Sequence, residues 1–451
     1  MAPHLTDWRG LYHGAAPCLL RPASTEELAG AVRLCAAAGV PMVPQGGNTG
    51  MVGGAVPDES GRQVLVSLAR MNRLRDLDPV DMTMTVEAGM IVRTAQEHAE
   101  AAGCLFPLSF GGEGSATVGG ILSTNAGGNT TVRYGNAREL CLGLEVVLPD
   151  GAVIHALRRL RKDNTGYALR QLFIGAEGTL GFVTAAVLRL VPRCVSEEVA
   201  LCAVADEDAA LALFRRLRGR DETAVRAFEY LAGPAMDLVL RHGLGASLPL
   251  ARPAAHYVLV ELATSRPDAG LRGLLEAVLE EALAAGEVED AVLAESEAQR
   301  AAIWALREGL PEAQTRAGAS VKSDVSVPIS RVPEMLRRGR AAVLALMPEA
   351  RVIAFGHMGD GNIHMNVQQP EGMARADFLA RGYGLMEAVN AVVRAMDGSF
   401  SAEHGVGRLK TGMLRDWRGG AELATMRRIK AALDPGELMN PGKVLPPEDP
   451  A

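Results

Sequence analysis

The chain has 451 residues, a net charge of −7 and a composition that is 48% apolar and 22% charged. Its length is about three times a typical ~150-residue domain, which implies two or three domains with sizeable cores. The acidic balance and the lack of a long basic stretch argue against a nucleic-acid surface, no apolar run reaches the ~18 residues of a transmembrane helix, and the opening MAPHLTDWRG is not a signal peptide, so a cytoplasmic protein is expected.

In chain order, residues 25–40 have the apolar spacing of a helix, capped by Ser24 or Thr25 and stopped by Gly39 and Pro41. A short strand at 41–44 runs into Gln45-Gly-Gly-Asn-Thr-Gly50. Strands are expected at 64–68 and 84–87, and a helix at 90–102. A second glycine tract spans 111–128, followed by strands at 144–148 and 152–157 joined by the turn signal Pro149-Asp-Gly151. A third cluster, Gly175 to Gly181, precedes a strand at 182–190. Beyond Pro192 come Ala-, Leu- and Glu-rich helices at 205–217, 268–285 and 296–317, with strands at 225–230 and 256–263. The stretch 401–451 contains glycines, then a helix at 421–433, then a proline-rich tail. This is the pattern of an α+β protein.

Glycine is in excess, and 26 of the 50 precede residue 182. Glycine costs chain entropy, so such density points to backbone that turns sharply or lies against a ligand. Gly46, Gly47, Gly50, Gly53 and Gly54 cluster closely, and successive N–H groups there can form an anion nest suited to a pyrophosphate. Neither GxGxxG, GxxxxGK[ST] nor GxSxG occurs, which argues against Rossmann, P-loop and α/β-hydrolase sites. The six cysteines form no CxxC pair and read as buried thiols.

Two short motifs carry three of the nine histidines. In Phe355-Gly-His-Met-Gly-Asp-Gly-Asn-Ile-His-Met-Asn366, Asp360-Gly361 is a two-residue hairpin signal. With those two as the turn, Gly359 pairs with Asn362, Met358 with Ile363 and His357 with His364. The imidazoles then stand opposite each other, Cβ atoms about 5 Å apart, with Asn366 on the same face. Glu403, in Ser401-Ala-Glu-His-Gly-Val-Gly407, is a candidate third ligand, and two His with one carboxylate suit Zn²⁺, Mn²⁺ or Fe²⁺. On spacing alone, a His pair that only hydrogen-bonds within a polar sheet face is the alternative.

The glycine tracts resemble, in order and separation, those of the vanillyl-alcohol-oxidase type FAD-binding superfamily: Pro44 through Gly54, Pro107 through Thr131, and Gly175 through Thr184. Lys162-Asp-Asn-Thr-Gly-Tyr167, Leu172-Phe-Ile174 and Met439-Asn-Pro-Gly-Lys443 resemble it too. The Gln45–Gly50 loop is most similar to the D-2-hydroxyacid dehydrogenase branch, particularly the D-2-hydroxyglutarate dehydrogenases. The resemblance implies an α+β fold with an FAD-binding domain of two α+β subdomains at 1–193. It also implies a substrate domain on an antiparallel sheet at 194–400, and a C-terminal helical segment at 401–451 returning to the first domain. Implied FAD contacts are Pro44, Gln45, Gly46, Gly47, Asn48, Thr49 and Gly50; Gly114, Ser115, Gly119, Gly120, Asn125, Gly127 and Gly128; Glu177, Gly178 and Gly181; and Asn440. Asn48 stands where some members attach FAD through a histidine, so non-covalent FAD is expected.

By the same resemblance, a metal, zinc above others, is bound by His357, His364 and Glu403, and His404 is the catalytic general base and a substrate contact. Arg307 and Lys322 match substrate-carboxylate anchors, and Asn366 is a further substrate contact. Pro311 departs from the pattern: the hydroxyglutarate enzymes carry a substrate-contacting Thr four residues after the matching arginine, and proline offers neither hydroxyl nor N–H. The implied reaction is metal-assisted oxidation of a D-2-hydroxy acid (D-2-hydroxyglutarate or an analogue such as D-malate) to the 2-oxo acid, with hydride transfer to flavin N5. A glycolate or D-lactate dehydrogenase or oxidase on the same fold, and a non-catalytic flavin subunit of a larger complex, are the alternatives. No motif chooses among an electron-transfer flavoprotein, a quinone and a cytochrome as electron acceptor, and a homodimer is compatible with the sequence.

Overall fold

The computed structural model describes residues 1–242 and 247–447, so the last four residues of the expected 401–451 segment lie outside the described residues. The chain divides into two compact units. The first unites residues 1–128, 134–193 and 403 onward; the second unites 129–133 and 194–402.

In the first unit, strand Val64–Ser67 pairs in parallel with Leu19–Leu20 on one side and Met42–Gln45 on the other. Helix Thr25–Ala37 makes the crossover; Ser24 caps it by accepting the Glu27 N–H, and it buries Leu28, Ala29 and Val32. A second, antiparallel sheet runs in the order Leu74–Asp78, Thr83–Glu87, Phe182–Arg189, Cys141–Val147, Val153–Ala156. Its central strands are buried on both faces. One apolar core, including Met42, Val66, Val86, Leu122 and Phe182, joins the two sheets. The C-terminal segment returns here: Met42 N–H donates to Leu438 O at 2.7 Å, and Asn440 N–H donates to Met42 O at 2.8 Å.

The second unit is built on an antiparallel sheet in the order Val288–Leu293, Ser196–Val204, His256–Thr264, Val225–Ala232, Arg351–Gly356, Asn362–Gln368, Ser320–Val321. Asp324–Ser326 pairs with Asn362–Gln368 as well. The expected helix at 296–317 is two helices, Glu297–Glu308 and Leu310–Arg316. Pro311 cannot donate to the helical ladder, so the chain restarts at Gly309. Ile303, Leu306 and Leu310 from these helices pack with Leu231, Leu259 and Phe355 of the sheet. Among the described residues, no helix is long and apolar enough to cross a membrane.

Candidate active site

The three glycine tracts meet within the first unit, and their glycines lie where backbone approaches its neighbours. A Cβ on Gly47 would stand 2.0 Å from Ser115 O, one on Gly46 2.4 Å from Thr117 Oγ1, one on Gly119 2.8 Å from Ala88 Cβ, and one on Gly178 2.7 Å from Pro44 Cγ. Gly50 and Gly114 are different: a Cβ there would meet nothing within 4 Å, so that side of the loops is open. Thr49, Gly120, Gly127, Gly128 and Gly181 belong to the same tracts.

Several residues expected at the cofactor shape these loops. Gln45 Nε2 donates to His4 O and Ala55 O, each at 2.9 Å. Asn48, in the left-handed region at φ +53, donates to Thr6 O at 2.8 Å. Asn125 ends helix Val118–Thr124 at φ +52 and accepts the Arg138 N–H at 3.0 Å. Asn440 Nδ2 bridges the first and third tracts, donating to Gly54 O at 3.0 Å and Glu177 O at 2.8 Å. Among the described residues its buried Oδ1 has no partner. An orphaned buried acceptor costs about 1–3 kcal/mol. At the seam of two glycine tracts with open faces, it fits a large polar ligand with its own donors, and the residues present fit FAD.

In the second unit the hub is Glu229, which strand Val225–Ala232 carries to a fully buried position. Its Oε1 accepts from His357 Nδ1 and its Oε2 from Arg307 Nε, each at 2.7 Å. Burial pushes this carboxyl up, but His357 and Arg307 beside it outweigh that and hold the pKa at about 2. Donation from Nδ1–H fixes the His357 tautomer that carries its lone pair on Nε2. The Arg307 guanidinium also stacks 4.8 Å from the Phe355 ring centroid.

His357 and His364 are not the directly opposed pair expected. The register sets Phe355 against His364, Ala354 against Met365 and Ile353 against Asn366. Residues 357–361 form the connection, with a 3-10 turn at Met358–Asp360. His357 O accepts both Asp360 N–H and Asn362 N–H, and Asp360 Oδ1 accepts the Asn362 N–H at 3.1 Å. The Asp-Gly pair thus closes a five-residue turn, with Gly361 in the left-handed region at φ +87. The two rings still come together edge-to-face, centroids 5.7 Å apart at 78°. Asp324, nearly fully buried, places Oδ1 3.8 Å from His364 Nδ1.

Two of the expected substrate contacts share one acceptor. Lys322 Nζ at 2.5 Å and Asn366 Nδ2 at 3.1 Å both donate to Gln314 Oε1, and Asn366 Oδ1 accepts the Ser323 N–H at 3.1 Å. Two donors on one oxygen fix the Gln314 amide, whose buried Nε2 has no partner among the described residues. Pro311 is exposed, one turn before Gln314 on the same short helix.

Glu403 and His404 open the C-terminal segment of the first unit, directly after Ala402, the last residue of the second. Ala402 N–H donates to Asp324 Oδ2 at 3.1 Å. Glu403 Oε1 lies 3.9 Å from His404 Nε2. In the turn that follows, Glu177 accepts Val406 N–H at 2.7 Å and Gly407 N–H at 2.8 Å. Burial pushes the Glu177 carboxyl up, opposed by these two N–H groups and by Lys410.

Sequence reading missed Glu229, Gln314 and Asp324. A carboxylate within the apolar run Val225–Ala232 was the available signal for Glu229, because a buried charge demands partners. Asp324 stood two residues from Lys322 in a segment already singled out.

A family model described as FAD linked oxidases, C-terminal domain, matches residues 195–444, and one described as FAD binding domain matches residues 16–157. D-2-hydroxyglutarate dehydrogenase of Xanthomonas citri pv. viticola is 38% identical over 443 residues, covering 98% of this chain and 92% of that one. The mitochondrial D-2-hydroxyglutarate dehydrogenase of Bos taurus is 39% identical over 452 residues, covering 99% of this chain and 80% of that one. The solved structure of p-cresol methylhydroxylase with substrate bound matches with a TM-score of 0.73 at 16% identity, over 98% of this chain and 92% of that one, which shows a shared fold. The chain therefore belongs to the FAD-linked oxidases, in the group that contains the D-2-hydroxyglutarate dehydrogenases.

Proposed function

We propose that the protein oxidises a D-2-hydroxy acid, D-2-hydroxyglutarate or a close dicarboxylic analogue such as D-malate, to the 2-oxo acid, and passes the electrons to an external acceptor. The observation that carries this reading is the buried Arg307–Glu229–His357 chain, with His364 and Asp324 beside it and Lys322 and Asn366 joined through Gln314. It supplies guanidinium and ammonium groups for carboxylates and paired imidazoles for a Lewis acid within one unit.

Non-covalent FAD would lie along the glycine tracts with Asn440, and supplies the hydride acceptor. A divalent metal, zinc above others, held by His357, His364 and Glu403, supplies a Lewis acid for the α-hydroxyl. The donor set fits such an ion, and Asp324 is a further carboxylate available to it. Ala402, the residue before Glu403, donates its N–H to Asp324. His404 accepts the hydroxyl proton as a neutral imidazole. Arg307 and Lys322 bind carboxylate charge, and Asn366, held by Ser323 and Gln314, orients the substrate.

Anaerobic mixing with D-2-hydroxyglutarate, D-malate, D-lactate and glycolate tests the reading. Bleaching of the flavin band by a dicarboxylate is the expected result, and bleaching by none of the four overturns it. Bleaching by D-lactate or glycolate alone establishes the shorter-substrate reading, which the lack of a hydroxyl at Pro311 favours. Acid precipitation should release all FAD into the supernatant. Among the described residues the six cysteines form no disulfide, which supports a reducing compartment such as the cytoplasm.

A further inference from the structure

We infer that Glu177 is a positioning residue for the Glu403–His404 loop, acting through the backbone of Val406 and Gly407. The inference rests on the role proposed above for that loop. Each oxygen of the Glu177 carboxylate takes one N–H: Oε1 that of Val406 at 2.7 Å and Oε2 that of Gly407 at 2.8 Å. The loop has little stiffness of its own, since Gly405 and Gly407 both sit in the left-handed region, at φ +80 and +50. Both glycines are required by close approach. A Cβ on Gly405 would stand 2.7 Å from Glu177 Oε1, and one on Gly407 2.3 Å from Val52 O.

The other end of the tether is firm. Glu177, at φ +50, donates its N–H to Ser123 O at 2.7 Å and accepts from Asn440 Nδ2 at 2.8 Å on its carbonyl. Val52 O takes the Arg408 N–H at 2.9 Å just beyond the tethered pair. One side chain thus locks the third glycine tract to the loop whose tethered amides begin two residues after His404. A carboxylate whose two oxygens each take a backbone N–H has a task of its own besides any cofactor contact. Its place in a glycine tract is explained by the loop that it holds. Displacing a reacting group by about 1 Å can cost on the order of 10²-fold in rate, so the tether sets the effectiveness of His404 and the reach of Glu403.

The test compares full-length, FAD-loaded wild type with Glu177→Gln, which keeps one acceptor, and Glu177→Asp, one methylene shorter. FAD content should be unchanged in the Gln variant. Hydrogen exchange in a peptide spanning residues 403–410 should rise roughly tenfold, as the loss of one charge-assisted bond implies. Metal affinity should fall roughly tenfold. The limiting rate of flavin reduction should fall roughly 10- to 100-fold while KM moves less than about threefold. Wild-type exchange and metal affinity in both variants overturns the inference. So does loss of FAD in step with loss of rate, which makes Glu177 a cofactor residue. If no hydroxy acid reduces the wild type, the parent reading fails, and exchange and metal affinity still decide the tether.

Discussion

Replacing Glu229 by glutamine removes one charge from the most buried polar junction of the second unit while keeping its volume. The carboxylate holds two 2.7 Å bonds, one to His357 and one to Arg307. An amide has a single acceptor, so at least one of these is lost: its NH₂ either faces the Arg307 donor or forces His357 into the other tautomer. A charge-assisted bond is worth about 1.5–3 kcal/mol, and removing one partner of a buried ion pair costs about 3–5 kcal/mol because the other charge stays buried. Arg307 is only 6% exposed, so its charge has little water to turn to. At roughly 2–4 °C per kcal/mol for a domain of this size, the melting temperature should fall by roughly 6–20 °C. The His357 ring loses its fixed tautomer and orientation, so metal affinity should fall roughly 10- to 100-fold. KM for the hydroxy acid should rise as Arg307 loses its support. Thermal melting of the FAD-loaded protein and competition with a chromophoric chelator measure the first two effects. A Glu229→Gln protein that melts within about 2 °C of wild type and binds metal equally well would refute the reasoning, because the carboxylate would then be neither a buried counter-charge nor a ligand support.

Gln314→Leu should leave FAD content intact but raise KM roughly tenfold, since Lys322 and Asn366 lose the oxygen that aligns them; steady-state kinetics with an unchanged KM would dismiss that alignment. Gly47→Ala should cost at least about 1–3 kcal/mol, because its Cβ would stand 2.0 Å from Ser115 O and two backbones must part; the FAD-to-protein ratio after gel filtration should drop. Glu145 accepts from Thr25 Oγ1 at 2.6 Å and Thr184 Oγ1 at 2.9 Å and pairs with Arg75 at 3.1 Å. Burial raises its pKa, but these donors outweigh it and hold the group at about 2. Its folded value lies below the unfolded value of about 4.3, so its stabilisation is present above pH ~4.3 and fades as pH falls toward 2. Melting temperatures across that range should therefore depend less on pH in Glu145→Gln than in wild type.

The glycine tracts were legible because glycine there answers a local demand, close backbone approach, that leaves a mark on composition. Gly46 and Gly47 have no space for a Cβ, and nothing but glycine fits. The turn at Asp360-Gly361 was also visible, but not its length. Gly356, whose Cβ would stand 2.7 Å from Asn362 O, and the 3-10 turn after it moved His357 out of the ladder. That choice is made by packing around the turn and not by the dipeptide. Glu229 was hidden for another reason. Its partners lie 78 and 128 residues away, and only the fold brings the two strands and the helix together. Gln314 reads in sequence as an ordinary helix residue, and its role exists only because Lys322 and Asn366 converge on it.

The unit that holds the glycine tracts is closed by hydrogen bonds between Met42 and residues 438 and 440. During synthesis at about 5–20 residues per second, strand Met42–Gln45 waits on the order of tens of seconds for that partner. The intervening unit, nearly all from one continuous stretch, can fold in the meantime. Loading of the flavin is thereby postponed until nearly the whole polypeptide has been made. A ribosome that stalls before the helix at 421–433 would leave a chain whose second unit is complete and whose flavin unit is unfinished.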